Sequence, residues 1–71
     1  MPATRNYKRM TDQQLSAVYL YWSRTLDDWH DLASQYADDR RARRGARRAI
    51  VRCNRQIRRI ETVARRRRLG L

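Results

Sequence analysis

The chain has 71 residues, and its 18 Lys and Arg against 7 Asp and Glu give a formal net charge of +11. A chain of this length has room for one small domain, whose core is only marginally stable without disulfides, metal or self-association. The single Cys and single His exclude an intrachain disulfide framework and a Cys/His zinc cluster within one chain. We therefore expect a small domain that self-associates.

The excess of cationic side chains is the strongest signal of function. It favours a nucleic acid, an anionic membrane or an acidic protein as the partner. All the cations except Lys8 are Arg, which pairs with phosphate and carboxylate through two parallel hydrogen bonds. A GC-rich genome also favours Arg over Lys, but it does not account for the net charge. That charge is +3 in residues 1–9, −5 in residues 10–39 and +13 in residues 40–71.

Residues 1–9 contain Pro2 and no apolar periodicity, which predicts a flexible, extended basic arm before a single domain of residues 10–71. No stretch approaches the roughly 18 apolar residues of a membrane span, and the N-terminus lacks the apolar run of a secretory signal. The unpaired Cys53 fits a reducing compartment. We expect a soluble protein in the cytoplasm of the producing or host cell.

A helix start is indicated at Thr11. Thr11 and Gln14 have the spacing of a capping box, and Met10 and Leu15 that of a hydrophobic staple. Asp12 favours the positive end of the helix dipole. Apolar side chains then recur at helical spacing, which predicts an amphipathic helix. These side chains are Leu15, Val18, Tyr19, Trp22, Leu26, Trp29, Leu32, Ala33 and Tyr36.

A second helix is indicated after the first. Its apolar line alternates at spacings of four and three: Ala46, Ile50, Cys53, Ile57, Ile60 and Ala64. Gly45 is the natural residue to follow the end of the first helix, so we predict a turn at about residues 42–45. The predicted fold is all-α, an antiparallel two-helix hairpin of about residues 11–42 and 46–68. The alternative is one continuous helix that tolerates Gly45 at a cost of about 1 kcal/mol.

The predicted hairpin brings acidic and basic side chains together. In its register Asp31 lies near Arg55, and Asp27 and Asp28 lie near Arg58 and Arg59. Exposed ion pairs contribute only ~0–1 kcal/mol each, so these pairs would discourage alternative pairings more than they would stabilise the fold.

A single hairpin cannot enclose its aromatic side chains, whereas two hairpins can do so as a four-helix bundle. We therefore predict a homodimer or higher oligomer, in the form of a four-helix bundle or a coiled-coil assembly. Leu20 and Val51 fall away from the apolar stripes and suggest a further contact surface, although isolated exposed apolar residues are common. The predicted core and subunit interface comprises Leu15, Trp22, Leu26, Trp29, Tyr36, Ile50, Ile57 and Ile60.

The second helix carries the candidate binding residues. With its apolar line facing inward, about one cation per turn faces outward, and such a rod can follow a phosphate backbone or enter a groove. A face that only keeps a helix in solution mixes both signs of charge, whereas Glu61 is the single acid between residues 40 and 68. We predict a nucleic-acid-binding set of Arg44, Arg48, Arg52, Arg55, Arg59, Arg65 and Arg66.

No residue pattern indicates catalysis. His30 has no nucleophile or second base at a defined spacing, and Cys53 lies on the apolar line, where a buried, inert thiol is expected. Asp27, Asp28 and Asp31 could hold a metal, but pairing of Asp27 and Asp31 with Arg across the hairpin is the simpler explanation. Tyr7 and Tyr21 lie off the apolar stripe and are the two aromatic candidates for ligand contact. We expect no enzymatic activity, cofactor or metal.

Residues 40–68 resemble in composition the arginine-rich RNA-binding helices of viral regulators such as the lentiviral Rev hairpin. The resemblance implies an Arg-dense helix held by a partner helix, binding RNA, in a protein that oligomerises through apolar faces. No motif at fixed spacing is shared. The chain differs in having Ile50, Ile57 and Ile60 inside the basic segment and its acids concentrated on the first helix.

The leading hypothesis is therefore a non-catalytic helical dimer that binds DNA or RNA. The alternative is a small phage-type adaptor or inhibitor that binds an acidic surface of a host protein through the same Arg side chains or through the aromatic stripe. A weaker alternative is an amphipathic protein that acts on anionic membranes.

Overall fold

The computed structural model describes residues 6–71 of the chain. In chain order it contains a 3₁₀ turn at Tyr7–Arg9, helix α1 at Asp12–Gln35 and helix α2 at Arg40–Arg66, with no strand in this part of the chain. The two helices pack against each other. The predicted all-α helical hairpin is therefore confirmed, and the alternative of one continuous helix is excluded.

The start of α1 has the predicted capping box. The Thr11 hydroxyl accepts a hydrogen bond from the Gln14 backbone N–H at 3.1 Å, and the Gln14 side-chain oxygen accepts one from the Thr11 N–H at 2.9 Å. Together these bonds satisfy two of the N–H groups that a helix start leaves without partners. Leu15 is fully buried, and Met10 packs against the same cluster.

The turn lies earlier than predicted. Helix α1 ends at Gln35 and α2 begins at Arg40, so the connection is residues 36–39 and the predicted turn at 42–45 is wrong. The Asp39 side chain accepts hydrogen bonds from the N–H groups of Arg41 and Ala42, which makes it the N-cap of α2. Gly45 is consequently inside the helix, where Arg and Ala neighbours of high helix propensity offset its modest cost.

Helix α2 ends with a Schellman motif. The Leu69 N–H donates to the Ala64 carbonyl and the Arg68 N–H to the Arg65 carbonyl. Arg68 has a φ of 56°, in the left-handed region that usually favours glycine. Leu69 packs against the core cluster, so the motif closes the end of the hairpin with an apolar contact.

The earlier turn changes the register between the helices. Asp12 at the start of α1 forms an ion pair with Arg67 at the end of α2, at 3.1 Å, which shows that the helices are antiparallel. It is the only ion pair among residues 6–71. The predicted pairing of Asp27, Asp28 and Asp31 with arginines of α2 is therefore wrong, because helical periodicity directs these exposed carboxylates away from α2 and the shifted turn also changes the register.

The core lies at the open end of the hairpin, away from the turn. It consists of the buried side chains of Tyr7, Leu15, Ile60, Val63 and Ala64, flanked by the partly buried side chains of Met10, Val18, Tyr19, Trp22 and Leu69. Two further side chains of α2, which lie nearer the turn than Ile60, are also buried: Ala46 and Cys53. The end near the turn has no comparable cluster of large buried side chains among the described residues.

The predicted core and interface residues divide into three groups. Leu15 and Ile60 are fully buried. Tyr36 is 49% exposed because it is the C-cap of α1, where the helical stripe ends; it is not part of the core within one chain. The others are partly buried: Trp22, Leu26, Trp29, Ile50 and Ile57. As expected, Leu20 and Val51 are exposed, at 50% and 55%.

The N-terminal segment is folded where the structure describes it. Tyr7 is only 3% exposed, and its hydroxyl donates a hydrogen bond of 2.6 Å to the Gln56 side-chain oxygen. The expectation of an extended, flexible arm is therefore wrong for Tyr7–Arg9, because burial of the Tyr7 ring holds this turn against α2. Residues 1–5 lie outside the described part of the chain.

Replacing Gly45 by Ala tests the position of the turn. Gly45 is exposed within α2, has no positive φ, and has open space where a Cβ would lie. We expect Gly45→Ala to raise the free energy of unfolding by about 0.5–1 kcal/mol, measured by urea unfolding at fixed protein concentration. Gly70→Ala, beyond α2, is the control and should change little. Destabilisation by Gly45→Ala would support the turn at 42–45.

Candidate nucleic-acid interface

One longitudinal strip of α2 carries seven arginines. At about 100° per residue they fall within an arc of roughly 80°, and they extend over roughly 37 Å of the helix. All seven side chains are exposed. We call this strip the arginine face; it consists of Arg41, Arg44, Arg48, Arg52, Arg55, Arg59 and Arg66.

The arginine face carries charge of a single sign. Glu61, the one acid of α2, lies on the opposite flank of the helix by the same periodicity. The buried positions Ala46, Cys53 and Ile60 recur every seven residues and hold the centre of the helix against α1. The arginines are therefore carried by a helix whose orientation is set by packing.

The structure alters the predicted binding set at two positions. Arg65 is exposed but lies on the same flank as Glu61, roughly a third of a turn from the arginine face. Arg41 belongs to the arginine face and was missed, because the predicted turn placed it in the first helix. The acidic pair Asp38 and Asp39 was the available signal, since Asp is a favoured N-cap directly before a helix.

Arg67 has a structural role that its neighbours do not share. Its guanidinium donates to the Asp12 carboxylate at 3.1 Å and to the Lys8 backbone carbonyl at 2.7 Å. The Asp12 side chain is largely exposed, so the ion pair itself contributes at most about 1 kcal/mol. The guanidinium nonetheless joins the 3₁₀ turn, the start of α1 and the end of α2.

The 3₁₀ turn lies beside the far end of the arginine face. The Arg59 guanidinium carbon is 5.6 Å from the centre of the Tyr7 ring, within the range of a cation–π interaction. Because Tyr7 is buried, it is not free to stack on a base, which removes one of the two aromatic candidates. The other candidate, Tyr21, is 56% exposed and packs edge-on against Trp22 at 5.2 Å between ring centroids.

Helical periodicity places a row of apolar side chains from both helices on the edge of the helix–helix seam opposite the 3₁₀ turn. We call this row the apolar groove; its members are partly buried and comprise Tyr19, Leu26, Ala33, Ile50 and Ile57. Ala33 and Ile50 line a common cleft near the turn, together with arginines of α2. On α2, the groove residues and the Tyr7 contacts lie on opposite flanks of the buried line.

Comparisons with protein-family models, curated proteins and solved structures find no match. The site is therefore interpreted from its own geometry. Within residues 6–71, no three His, Cys, Asp or Glu side chains are grouped so that they could hold a metal ion. Neither described helix is long and apolar enough to cross a membrane.

Cys53 is buried, as expected from its place on the apolar line, and carries a free thiol. Burial raises the pKa of the Cys53 thiol, and the neighbouring positive charge of Arg52 partly opposes this. The folded state therefore favours the neutral thiol. The contribution of the Cys53 thiol to the free energy of unfolding is fully present below the pKa of this thiol in the unfolded chain. It is lost as the pH rises through the pKa of the thiol in the folded state.

The Cys53 environment predicts a specific pH dependence. Between about pH 8 and about pH 10, the wild type should lose stability relative to Cys53→Ala, because only the wild type gains a thiolate on unfolding. The measurement is urea unfolding of both proteins across this range. The native thiol should also react more slowly with an aromatic disulfide reagent than the thiol of the unfolded chain. Parallel stability curves would contradict the prediction.

Proposed function

We propose that the protein is a non-catalytic nucleic-acid-binding protein that holds DNA or RNA along the arginine face of α2. The observation that carries the proposal is the alignment of seven exposed arginines on one strip of a packed helix, with no acid among them. Phosphate backbones are long, regular polyanions, and Arg contacts to them release counterions on binding. A straight cationic strip matches such a ligand in length and in charge.

The distribution of charge supports a ligand rather than solvation alone. Like charges crowded on one strip repel each other and oppose folding. Compensation within the chain is small, because the single described ion pair uses Arg67, which lies outside the arginine face. A polyanion bound along the strip would relieve this repulsion, whereas solubility alone is served equally well by mixed charges.

We also propose that two copies associate through the apolar groove. Within one chain the groove leaves large apolar side chains only partly buried, among them Leu26, Ile50 and Ile57. Covering them with a second copy would remove apolar surface from water, which favours association. Docking through the groove would leave the arginine face of each copy exposed except at Arg44, which also lines the cleft at Ile50; the other six arginines lie on the opposite edge of the seam.

The charges beside the groove fit a two-fold arrangement. Glu61 is partly buried and lies near the open end, while Arg43 and Arg47 lie near the turn on the same flank of α2. Two hairpins docked groove to groove with antiparallel axes would bring Glu61 of each copy towards Arg43 and Arg47 of the other. Such isologous contacts are typical of two-fold homodimers.

The arginine face is tested with two triple variants of equal charge. Arg48→Gln/Arg52→Gln/Arg55→Gln removes three cations from the face, and Arg24→Gln/Arg58→Gln/Arg65→Gln removes three that lie outside it. The quantity measured is the salt slope, the slope of log Kd against the logarithm of the salt concentration. We expect the first variant to lower this slope by about 2–3 and the second by less than 1, for both a DNA and an RNA duplex. Fluorescence anisotropy at a series of salt concentrations gives the slopes.

The outcomes separate the candidate functions. Equal losses for the two triple variants would mean that net charge, not the arginine face, governs binding. Absence of wild-type binding to either nucleic acid at low salt would overturn the proposal. In that case a stoichiometric protein partner that resists nuclease treatment, and whose binding depends on the arginine face, would favour the adaptor function.

The apolar groove is tested with two neighbouring substitutions on α2. Ile50→Lys places an ammonium in the groove, where the cleft already contains arginines, whereas Val51→Lys places the same group at a position that is 55% exposed. Sedimentation equilibrium should give the wild type and Val51→Lys about twice the monomer mass and Ile50→Lys the monomer mass, because a charge buried without an acidic partner opposes association. A monomeric wild type at micromolar concentration would overturn the dimer.

A further inference from the structure

An open cleft of about 520 Å³ lies between the 3₁₀ turn and the last turns of α2. Three cationic side chains, from two separate parts of the chain, line it: Lys8, Arg59 and Arg66. The remaining lining residues are Asn6, Tyr7, Thr62 and Val63, none of which is acidic. The cleft is a concave, cationic site at one end of the arginine face.

The lysine reaches this cleft because the 3₁₀ turn is fixed at several points. The Tyr7 ring is buried in the core cluster, and its hydroxyl donates to the Gln56 side-chain oxygen at 2.6 Å. The carbonyl of Lys8 accepts a hydrogen bond of 2.7 Å from the Arg67 guanidinium. The backbone of Lys8 is thus held while its exposed side chain remains available to a ligand.

The cations of the cleft lack carboxylate partners. Asp12 neutralises Arg67, but among residues 6–71 no acid pairs with Lys8, Arg59 or Arg66. Arg59 also contacts the Tyr7 ring at 5.6 Å, which restricts the position of its guanidinium. Restricting cationic donors before binding lowers the loss of side-chain conformational entropy that accompanies ligand binding. A compact oxyanion is the ligand that such a set of donors suits best.

We propose that this cleft binds one phosphate group of a nucleic-acid backbone, with Lys8, Arg59 and Arg66 as its ligands and Tyr7 as the residue that positions Lys8. The proposal rests on the proposed function and adds to it a fixed contact at the end of the arginine face. In this proposal the 3₁₀ turn contributes Lys8 to a defined binding site rather than only adding to the net charge.

The test compares Lys8→Gln, Tyr7→Ala and their double variant in binding a labelled RNA or DNA duplex. Because Arg59 and Arg66 still contact the phosphate, Lys8→Gln should lower the salt slope by up to about 0.9 and weaken binding by up to roughly eightfold at about 0.1 M salt. Tyr7→Ala should cause a similar loss, and the double variant should be no weaker than the more affected single variant, because Tyr7 acts through Lys8. Arg24→Gln, which removes one cation from α1, is the control and should lower the slope by much less.

Circular dichroism shows whether each variant keeps the helical hairpin. If Tyr7→Ala unfolds, Tyr7→Leu replaces it: an apolar side chain still fills the core, but the ring over Arg59 and the hydroxyl bound to Gln56 are lost, so binding should weaken as in Lys8→Gln. Additive losses in the double variant, or a Lys8→Gln slope equal to that of the wild type, would overturn the cleft while leaving the arginine face intact.

A second measurement separates the cleft from the proposed function. Inorganic pyrophosphate is titrated into the wild type while amide NMR signals of Lys8, Thr62 and Arg66 are followed, with Lys8→Gln as the control. Saturable shifts that Lys8→Gln abolishes support the cleft, and their absence overturns it. Such shifts in a wild type that binds no nucleic acid would overturn the proposed function and the backbone origin of the phosphate, leaving a site for free phosphate.

Discussion

Two hydrogen bonds accepted by the Asp39 side chain determine where α2 begins, and much of the structure depends on that start. Helical periodicity then sets the direction of every later side chain. Arg41 consequently joins the arginine face, and Gly45 lies within a helix. The same start brings the last turn of α2 beside the first turn of α1, where Arg67 meets Asp12.

The hairpin keeps two kinds of surface apart along one seam. The arginine face and the 3₁₀ turn lie on one flank of α2, and the apolar groove lies on the other. Two helices bury only a narrow line of α2, so Ile50 and Ile57 stay partly exposed. A chain this small therefore has an apolar surface available for a second copy and a cationic surface that such a dimer would leave largely exposed.

The relative directions of the α2 arginines were predictable from sequence because they depend only on periodicity within one helix. Six of the seven predicted arginines lie on the arginine face, because their spacing fixes their relative directions whatever the register. Arg41 was missed and Arg65 misplaced for different reasons. The placement of Arg41 depended on the position of the turn between the helices. The placement of Arg65 depended on the direction in which the last turn of α2 points relative to the buried line. The position of Lys8 beside Arg59 and Arg66 depended on a contact between distant parts of the chain.

The sequence by itself determined the all-α class, the capping box at Thr11, the apolar line of α2 and the concentration of positive charge after residue 39, because each depends on local spacing or composition. Only the tertiary structure decided the register, the burial of Tyr7 and the cleft that contains Lys8. These features depend on competition between alternative helix ends and on packing of residues that are far apart in the chain. The two possible turns differ in whether Asp39 caps the start of α2 or Gly45 follows the end of α1. A free-energy difference of about 1 kcal/mol between them is enough to move the turn, and composition alone does not reveal which one forms.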